Sequence, residues 1–486
     1  MTTTDLFCSR AAQPGAALGP GAAALRAAMR SATGVAVWCA MIAPSVASAQ
    51  FVHEKVMVGA RAYYLYQQPF PDPPEFVDEV RVVATPDGGC VMVYIAESLI
   101  PIKQILLQAI DSWGRRTLGP IPVDFDEYRY VSLTVLPVGE DYWVAWGNSG
   151  GAWFRIVDSD GAVTPRRQLD ASVEYAEQIA LATNNTIVAA VYDSLDDPTP
   201  PFGVSGRLFT PDGTPLTGTL PIGHDAGGQA FWGGTLAFGA DATILYAYDC
   251  FFPHAARGTR FRFGGSDGWL DAPFDAPSRF PYGWIVSPWH GGYMFVSVDE
   301  RGSLSTGVTE VFWLDPNAAV LRQTNLVSDY FGLASNGAGE FAVMYARNPF
   351  NVPELLVSLY DSDGTQIVNR LQLFRPPAVR TWSASRCFAL ADNGAMWIRW
   401  RNPAEMNENY ITLLRPISPG DLNADDLTNG FDVDPFVLAL TSREAYQAAF
   451  PHIPPEAIDI LGDMNGDGLL NNFDIDPFVD ALVNGP

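Results

Sequence analysis

The sequence has few cysteines and, beyond its N-terminal segment, no long apolar run. Of the 5 cysteines in 486 residues, Cys8 and Cys39 lie in a segment that we expect to be removed. The other three, Cys90, Cys250 and Cys387, are too few for a disulfide framework, and at most one bridge can form among them. No run of about 18 apolar residues follows the N-terminal segment, so the sequence predicts no membrane-spanning helix.

Basic residues are also scarce. The 29 lysines and arginines stand against 54 acidic residues, which gives a net charge of −25 at pH 7. This excess of negative charge repels nucleic acid and anionic lipid, so we expect neither as a partner. Cations are the more natural binding partners of such a chain. Charged residues make up only 17% of the chain and hydrophobic residues 48%. The chain can therefore bury a core, and its length predicts more than one folded unit.

The N-terminal segment has the three parts of a secretory signal. Arg26 and Arg30 form a basic region, residues 34–43 form an apolar stretch too short to span a bilayer, and residues 47–49 form a small-residue cleavage site. We predict that residues 1–49 are a signal peptide, cleaved after Ala49. The mature protein is then expected to be secreted or held at the cell surface.

Seven runs of β-forming residues recur between residues 50 and 415. They end 46 to 56 positions apart, at Tyr94, Trp146, Tyr192, Tyr248, Val298, Tyr345 and Trp400. Turn signals such as "VDSDG", which ends at Gly161, accompany them, because Gly adopts positive φ and Asp bonds the backbone two residues on. A unit of about 50 residues with four short strands is typical of a propeller blade. The pattern therefore predicts a mainly β fold with a closed seven-bladed β-propeller; two consecutive sandwiches would not explain a single period.

The seventh unit lacks a fourth strand, whereas the N-terminal run "KVMVGARAYYLY" is a spare one. We predict that residues 55–66 complete the seventh blade and so leave no free sheet edge where the chain ends meet. The units resemble the degenerate "R-F-D-x-D-G" propeller repeats of many secreted bacterial proteins, and this resemblance covers residues 50–415.

The C-terminal region contains two near repeats, "GDLNADDLTNGFDVDPF" from Gly420 and "GDMNGDGLLNNFDIDPF" from Gly462. Calcium takes about six to eight oxygen ligands, and a twelve-residue loop supplies them from positions 1, 3, 5, 7, 9 and 12, with a backbone carbonyl at position 7. The two sets of residues at these positions are Asp421, Asn423, Asp425, Leu427, Asn429 and Asp432, and Asp463, Asn465, Asp467, Leu469, Asn471 and Asp474. The spacing predicts two calcium ions; a solvated acidic turn is the alternative for any single copy.

The two loops differ at position 6, where the backbone turns sharply. The second loop has Gly468 there and the first has Asp426, which tolerates left-handed geometry less well, so we expect the first site to be weaker. After each loop, "DPFV" predicts a short helix, with Asp434 and Asp476 as caps and a proline in the first turn.

A calcium loop with an exit helix but no entry helix, present twice and with Asp at position 12, resembles the type I dockerin module of the EF-hand type. The resemblance covers residues 420–486, and we place this small α-helical module at residues 416–486 after the propeller at 50–415. It implies a cohesin-like protein partner. The chain departs from the family pattern at Gly430-Phe431 and Asn472-Phe473, where many dockerins have Ser or Thr recognition residues, and in a long inter-loop segment, 441–461.

No residue pattern predicts a catalytic site. Ser149 and Ser266 lie in G-x-S-x-G strings but lack the strand-to-helix context of a nucleophile elbow, so we interpret both as turn or loop residues. The remaining candidates have structural interpretations that we favour: scattered histidines at His53, His224, His254 and His290, strand-end carboxylates at Asp193, Asp249 and Asp299, and possible sugar-stacking aromatics at Phe231, Trp232, Phe251, Phe252, Trp269, Trp284 and Trp289.

Three hypotheses for the function follow. The leading one is an exported non-enzymatic binding or attachment protein, in which the propeller recognises a carbohydrate or protein ligand and the calcium-ordered module docks to a partner. The second is a polysaccharide-active hydrolase or lyase targeted by its dockerin-like module. The third makes the calcium module an intramolecular structural clip on the propeller.

Overall fold

The computed structural model of the chain describes a propeller and a small helical module. The described residues are 52–58, 61–70, 76–97, 103–126, 132–148, 150–173, 176, 178–194, 203–223, 230–251, 258–277, 282–289, 291–298, 308–327, 330–347, 354–374, 388–401 and 409–484. The predicted signal peptide, residues 1–49, lies outside them.

The described strands form seven antiparallel sheets, six with four strands and one with five. The chain begins with β1 (Val52–Val58) and β2 (Arg61–Phe70), and blade 1 follows with β3 (Phe76–Ala84), β4 (Cys90–Glu97), β5 (Lys103–Ile110) and β6 (Arg116–Asp126). Blade 2 consists of β7 (Ser132–Val138), β8 (Asp141–Asn148), β9 (Gly151–Val157) and β10 (Arg167–Asp170). Blade 3 consists of β11 (Ile179–Thr183), β12 (Val188–Ser194), β13 (Gly203–Phe209) and β14 (Leu220–Gly223).

The remaining blades repeat this order. Blade 4 has β15 (Ala230–Phe238), β16 (Ile244–Phe251), β17 (Gly258–Gly264) and β18 (Phe274–Asp275), and blade 5 has β19 (Tyr282–Trp289), β20 (Gly292–Val298), β21 (Val308–Leu314) and β22 (Val320–Val327). Blade 6 has β23 (Tyr330–Ser335), β24 (Phe341–Arg347), β25 (Glu354–Tyr360) and β26 (Gln366–Phe374). Blade 7 adds β27 (Phe388–Leu390), β28 (Met396–Arg401) and β29 (Asn409–Ile417). The predicted seven-bladed propeller is thus confirmed.

Blade 7 is completed from the N-terminal side, as the sequence predicts, but by a hairpin and not by one strand over residues 55–66. β2 pairs with β29 from Ala62 opposite Ile417 to Phe70 opposite Asn409. β1 then pairs with β2 and becomes a fifth, outermost strand. The run predicted as one strand is thus divided into β1, which ends at Val58, and β2, which begins at Arg61.

Alternate residues of the blades pack toward opposite neighbours. In β2, Tyr64 and Tyr66 belong to the buried cluster between blades 7 and 1, whereas Tyr63 and Leu65 belong to the cluster between blades 6 and 7. This is the period of two expected of a strand buried on both faces. Among the described residues each neighbouring pair of blades shares one such cluster, and β27 lies against β3, so the ring is closed.

The turn signals have the predicted geometry. In blade 1, Asp111 Oδ1 accepts hydrogen bonds from the backbone N–H groups of Trp113 and Arg115, both at 2.9 Å. Gly114 has φ of 89°, a conformation that glycine adopts without strain. Ser266 lies in the corresponding turn of blade 4, so its interpretation as a turn residue is confirmed, and Ser149 is outside the described residues.

The C-terminal region is a set of short helices. They are α1 (Val433–Thr441), α2 (Arg443–Ala449), α3 (Pro455–Gly462) and α4 (Ile475–Asn484), with 3₁₀ turns at Gly430–Asp432 and Asn472–Asp474. α1 and α4 are the predicted exit helices, and the long inter-loop segment forms α2 and α3. Among the described residues no helix combines the length and apolar character needed to cross a membrane.

Candidate metal centre

The first C-terminal loop brings three carboxylates together. One oxygen from each of Asp421, Asp425 and Asp432 lies within 4.8 Å of the others, and Asp421 and Asp432 are buried. Backbone N–H groups fix the two buried carboxylates: Asp421 accepts from residues 425 and 426 at 3.1 and 2.9 Å. Asp432 accepts from residues 422, 423 and 429 at 2.8, 3.1 and 2.9 Å. Positions 1, 5 and 12 of the predicted loop therefore converge.

The second loop has the same backbone frame at the same offsets. Asp463 accepts from residues 467 and 468 at 3.0 and 3.1 Å. Asp474 accepts from residues 464, 465 and 471 at 2.8, 3.0 and 2.7 Å. Because every one of these bonds has its counterpart 42 positions earlier in the first loop, the two sequence repeats fold alike.

The asparagines at positions 3 and 9 are tied into the same frame. Asn423 and Asn465 accept from the backbone N–H of residues 425 and 467 at 2.9 and 2.8 Å. Asn429 and Asn471 cap the 3₁₀ turns, each accepting from the N–H two residues on at 2.8 Å. The asparagines, and not the predicted Asp434 and Asp476, are therefore the capping residues. Each asparagine forms a capping box with Asp432 or Asp474, at the 3₁₀ turn that precedes the exit helix. The side chains of Leu427 and Leu469, whose carbonyls are the predicted ligands at position 7, point outward at 63% and 59% exposure.

The electrostatics of the first loop favour a bound cation. Burial, and next the neighbouring Asp432 carboxylate, raise the pKa of Asp421 to about 7. Burial also raises the pKa of Asp432, although three backbone N–H groups oppose this effect. Carboxylate, amide and carbonyl oxygens are the ligands that calcium prefers, and a divalent cation would neutralise charge that burial leaves uncompensated. The residues therefore fit calcium.

The loops differ in backbone strain, as their sequences predict. Ala424 and Asp426 of the first loop have φ of 61° and 68°, where the second loop has Gly466 and Gly468 at 81° and 89°. Left-handed geometry is costly for a residue with a Cβ. The Asp426 carboxylate lies 3.1 Å from the Arg415 guanidinium of β29, a contact that a glycine could not make.

The module has a buried aromatic centre and an exposed aromatic pair. Phe436 and Phe478, one from each exit helix, stack with ring centroids 4.1 Å apart. Phe431 and Phe473, at position 11 of the two loops, are 80% and 78% exposed. Further exposed apolar residues also occur in repeat-related pairs: Val433 and Ile475, and Val437 and Val479.

Three of the described candidates on the propeller are hydrogen-bonded within the fold, and Trp269 is exposed. Asp193 is buried and accepts a 2.6 Å hydrogen bond from the Gln178 N–H. Trp289 donates its indole N–H to the Ser362 carbonyl of the next blade at 3.2 Å. His53 Nδ1 lies 2.7 Å from the Tyr64 hydroxyl, whereas Trp269 is 44% exposed.

Several other predicted positions cannot be placed. His224, His254, His290, Phe252 and Asp299 lie outside the described residues, and the side chains of Phe231, Trp232, Asp249, Phe251 and Trp284 are not described. Cys90 is a free, buried thiol. Cys387 lies outside the described residues, and the side chain of Cys250 is not described.

Sequence reasoning missed a buried charge cluster between blades 1 and 2. The Asp124 carboxylate is buried, and the Arg155 and Arg166 guanidinium groups lie 3.2 and 3.4 Å from it. Arg166 also lies over the Trp153 ring at 4.0 Å. The opposite charges pair across the blade interface. No local sequence pattern predicted this cluster, because its members are far apart in the chain.

Comparisons with known proteins give only distant similarities. No protein-family model and no curated protein matches the chain. Among solved structures it is similar to the WD40 domain of SCAP from fission yeast, at 10% identity and a TM-score of 0.40, covering 75% of this chain and 98% of that one. It is also similar to a subtype N11 neuraminidase-like protein of A/flat-faced bat/Peru/033/2010 (H18N11), at 12% identity, a TM-score of 0.38 and coverage of 72% and 93%.

A protein of unknown function from Dyadobacter fermentans DSM 18053 is similar at 8% identity and a TM-score of 0.37, covering 76% of this chain and all of that one. Similarities this weak do not indicate a function. The propeller assignment rests on the strand pairing itself.

Proposed function

We propose that this chain is an exported, non-enzymatic binding or attachment protein whose C-terminal module binds two calcium ions. The observation that carries the proposal is the pair of loops with one backbone frame, in which carboxylates at positions 1 and 12 are held by backbone N–H groups. Asp421, Asp425 and Asp432 would hold one ion and Asp463, Asp467 and Asp474 the other, with Asn423, Asn465 and the carbonyls of Leu427 and Leu469 as further ligands. The ion would supply the positive charge that orders each loop.

Calorimetric titration of the full chain with calcium tests this proposal. The wild type is expected to bind two ions, and Asp432→Asn and Asp474→Asn are expected to bind one each, because each substitution removes the last carboxylate of one loop. Asp434→Asn is the matched control, since this exposed carboxylate follows the first loop without belonging to it. A chain that binds no calcium, or variants that keep two ions, would overturn the proposal.

The exposed pair of phenylalanines supports a docking role. Phe431 and Phe473 occupy the same position in the two repeats, and Val437 and Val479 of the exit helices are exposed as well. Large exposed apolar patches mark interaction sites, and the resemblance to dockerins makes a cohesin-like domain the proposed partner.

Binding of purified cohesin domains, measured by surface plasmon resonance, tests the docking role. We expect calcium-dependent binding that the Phe431→Ser/Phe473→Ser double variant loses, with Val320→Ser on blade 5 as an exposed apolar control. Absence of binding across a panel of cohesins would exclude this partner while leaving the calcium proposal intact.

A further inference from the structure

The helical module lies where the propeller ring closes. Blade 7 combines strands from both ends of the propeller, with β2 pairing to β29. One buried cluster joins three parts of the chain: Tyr64 and Tyr66 of this closing strand, Trp113 of the blade 1 turn, and apolar residues of the module. The module residues are Leu422, Phe436, Ala439, Tyr446, Ile453, Ala457, Ile458, Leu461, Leu470 and Phe478. The hydrophobic core between the last and first blades is therefore continuous with that of the module.

The connection between the propeller and the module is short and fixed. β29 ends at Ile417 and the first loop begins at Asp421. Within this connection, the Gly420 N–H donates to the Leu461 carbonyl at 2.7 Å, and the Thr428 hydroxyl donates to the Pro419 carbonyl at 2.8 Å. These two bonds hold the end of the connection against α3 and the first loop.

Three cationic side chains of the propeller reach the module. Lys55 of β1 donates to the Asp463 carbonyl at 2.7 Å, and its Nζ lies 3.6 Å from the carboxylate of the same residue. Arg115, in the blade 1 turn, donates to the Pro451 carbonyl. Arg415 of β29 pairs with Asp426 at 3.1 Å.

Arg415 also connects the module with blade 1. Its guanidinium lies 4.0 Å from the centre of the Trp113 ring, and it donates to the Ser112 hydroxyl at 3.4 Å. The side chain is almost completely buried, so its pairing with the first loop is shielded from solvent on the propeller side. The three contacts thus span both sides of the ring closure, on β1, β29 and the blade 1 turn.

Two of the three contacts end on residues of the calcium loops. Asp463 is position 1 of the second loop and Asp426 is position 6 of the first, and each takes part in a backbone N–H bond to a carboxylate within its folded loop. A ligand that binds only the folded form of a segment stabilises everything that folds with it. Calcium in the loops would therefore stabilise the closing strands as well.

We propose that the calcium-loaded module is a clasp that fastens the closure of the propeller, with Lys55, Arg115 and Arg415 as its attachment points. This inference rests on the proposed calcium binding and gives the module an intramolecular role. Phe431 and Phe473 are exposed and are not part of the shared cluster, so the clasp leaves both available to a partner.

Hydrogen–deuterium exchange of the full chain, with calcium and with chelator, tests the clasp. Calcium is expected to slow amide exchange about tenfold or more in β1, in β2 and at residues 111–115, and to slow the fast-exchanging amides of blade 3 much less. Protection confined to residues 420–484 would overturn the clasp while leaving calcium binding in place. Calorimetry on the same sample separates this result from a failure to bind calcium at all.

A double variant locates the attachment. Lys55→Met/Arg115→Ala is expected to bind two calcium ions as the wild type does, but to lose at least half of the calcium-dependent protection of β1. Arg167→Ala is the matched control, since Arg167 is also exposed and donates to a turn carbonyl of a neighbouring blade, that of Asp212, at 2.8 Å. Unchanged protection in the double variant, or an equal loss in the control, would contradict the assignment.

Discussion

The buried carboxylate of Asp170 connects two blades through hydrogen bonds. Asp170 lies between blades 2 and 3 and accepts hydrogen bonds from the hydroxyls of Tyr192 at 2.7 Å, Thr219 at 2.6 Å and Ser172 at 2.7 Å. Burial raises the pKa of Asp170, but these bonds and the Ser172 N–H outweigh burial, so its pKa lies below the ordinary value. The folded state therefore binds this proton less tightly than the unfolded chain.

The sign of this shift fixes a pH dependence. Asp170 stabilises the fold above the unfolded pKa of about 3.9, and the contribution is lost as pH falls through the lower folded pKa. Asp170→Asn is expected to lower the free energy of unfolding at pH 7 by about 2 kcal/mol, with a smaller loss at pH 3. Urea unfolding at both pH values measures this, with Asp160→Asn as an exposed turn control. An equal loss at both values would show that charge plays no part.

At the scale of elements, local signals predicted the blades and the loops well. Turn residues such as Asp111 and Gly114 act through bonds to their immediate neighbours, so their spacing carried the blade period. The single strand predicted over residues 55–66 and the caps predicted at Asp434 and Asp476 were wrong, because each depends on which of two adjacent local patterns prevails. The attachment of the module was not predictable in detail: Lys55 and Asp463 are 408 positions apart, and their meeting requires a closed ring.

At the scale of the whole molecule, the calcium loops and the propeller share one core. Tyr66 and Leu461 belong to the same buried cluster. The connection from β29 to the first loop is held by the hydrogen bond from the Gly420 N–H to the Leu461 carbonyl. If the loops bind calcium as we propose, the closure of the propeller depends on that calcium. Phe431 and Phe473 are exposed and lie outside this cluster, so the proposed docking role and the proposed clasp use different residues of one small module.

Differential scanning calorimetry of the full chain, in calcium and in chelator, tests most directly whether calcium orders the module and, through it, the propeller. We expect the main unfolding transition, which contains the propeller, to move several degrees higher in calcium. Each of the two ions is expected to contribute about 1.4 kcal/mol of stabilisation for each tenfold excess of calcium over its dissociation constant. Asp432→Asn/Asp474→Asn should abolish the shift. A propeller transition at the same temperature in calcium and in chelator would contradict this account.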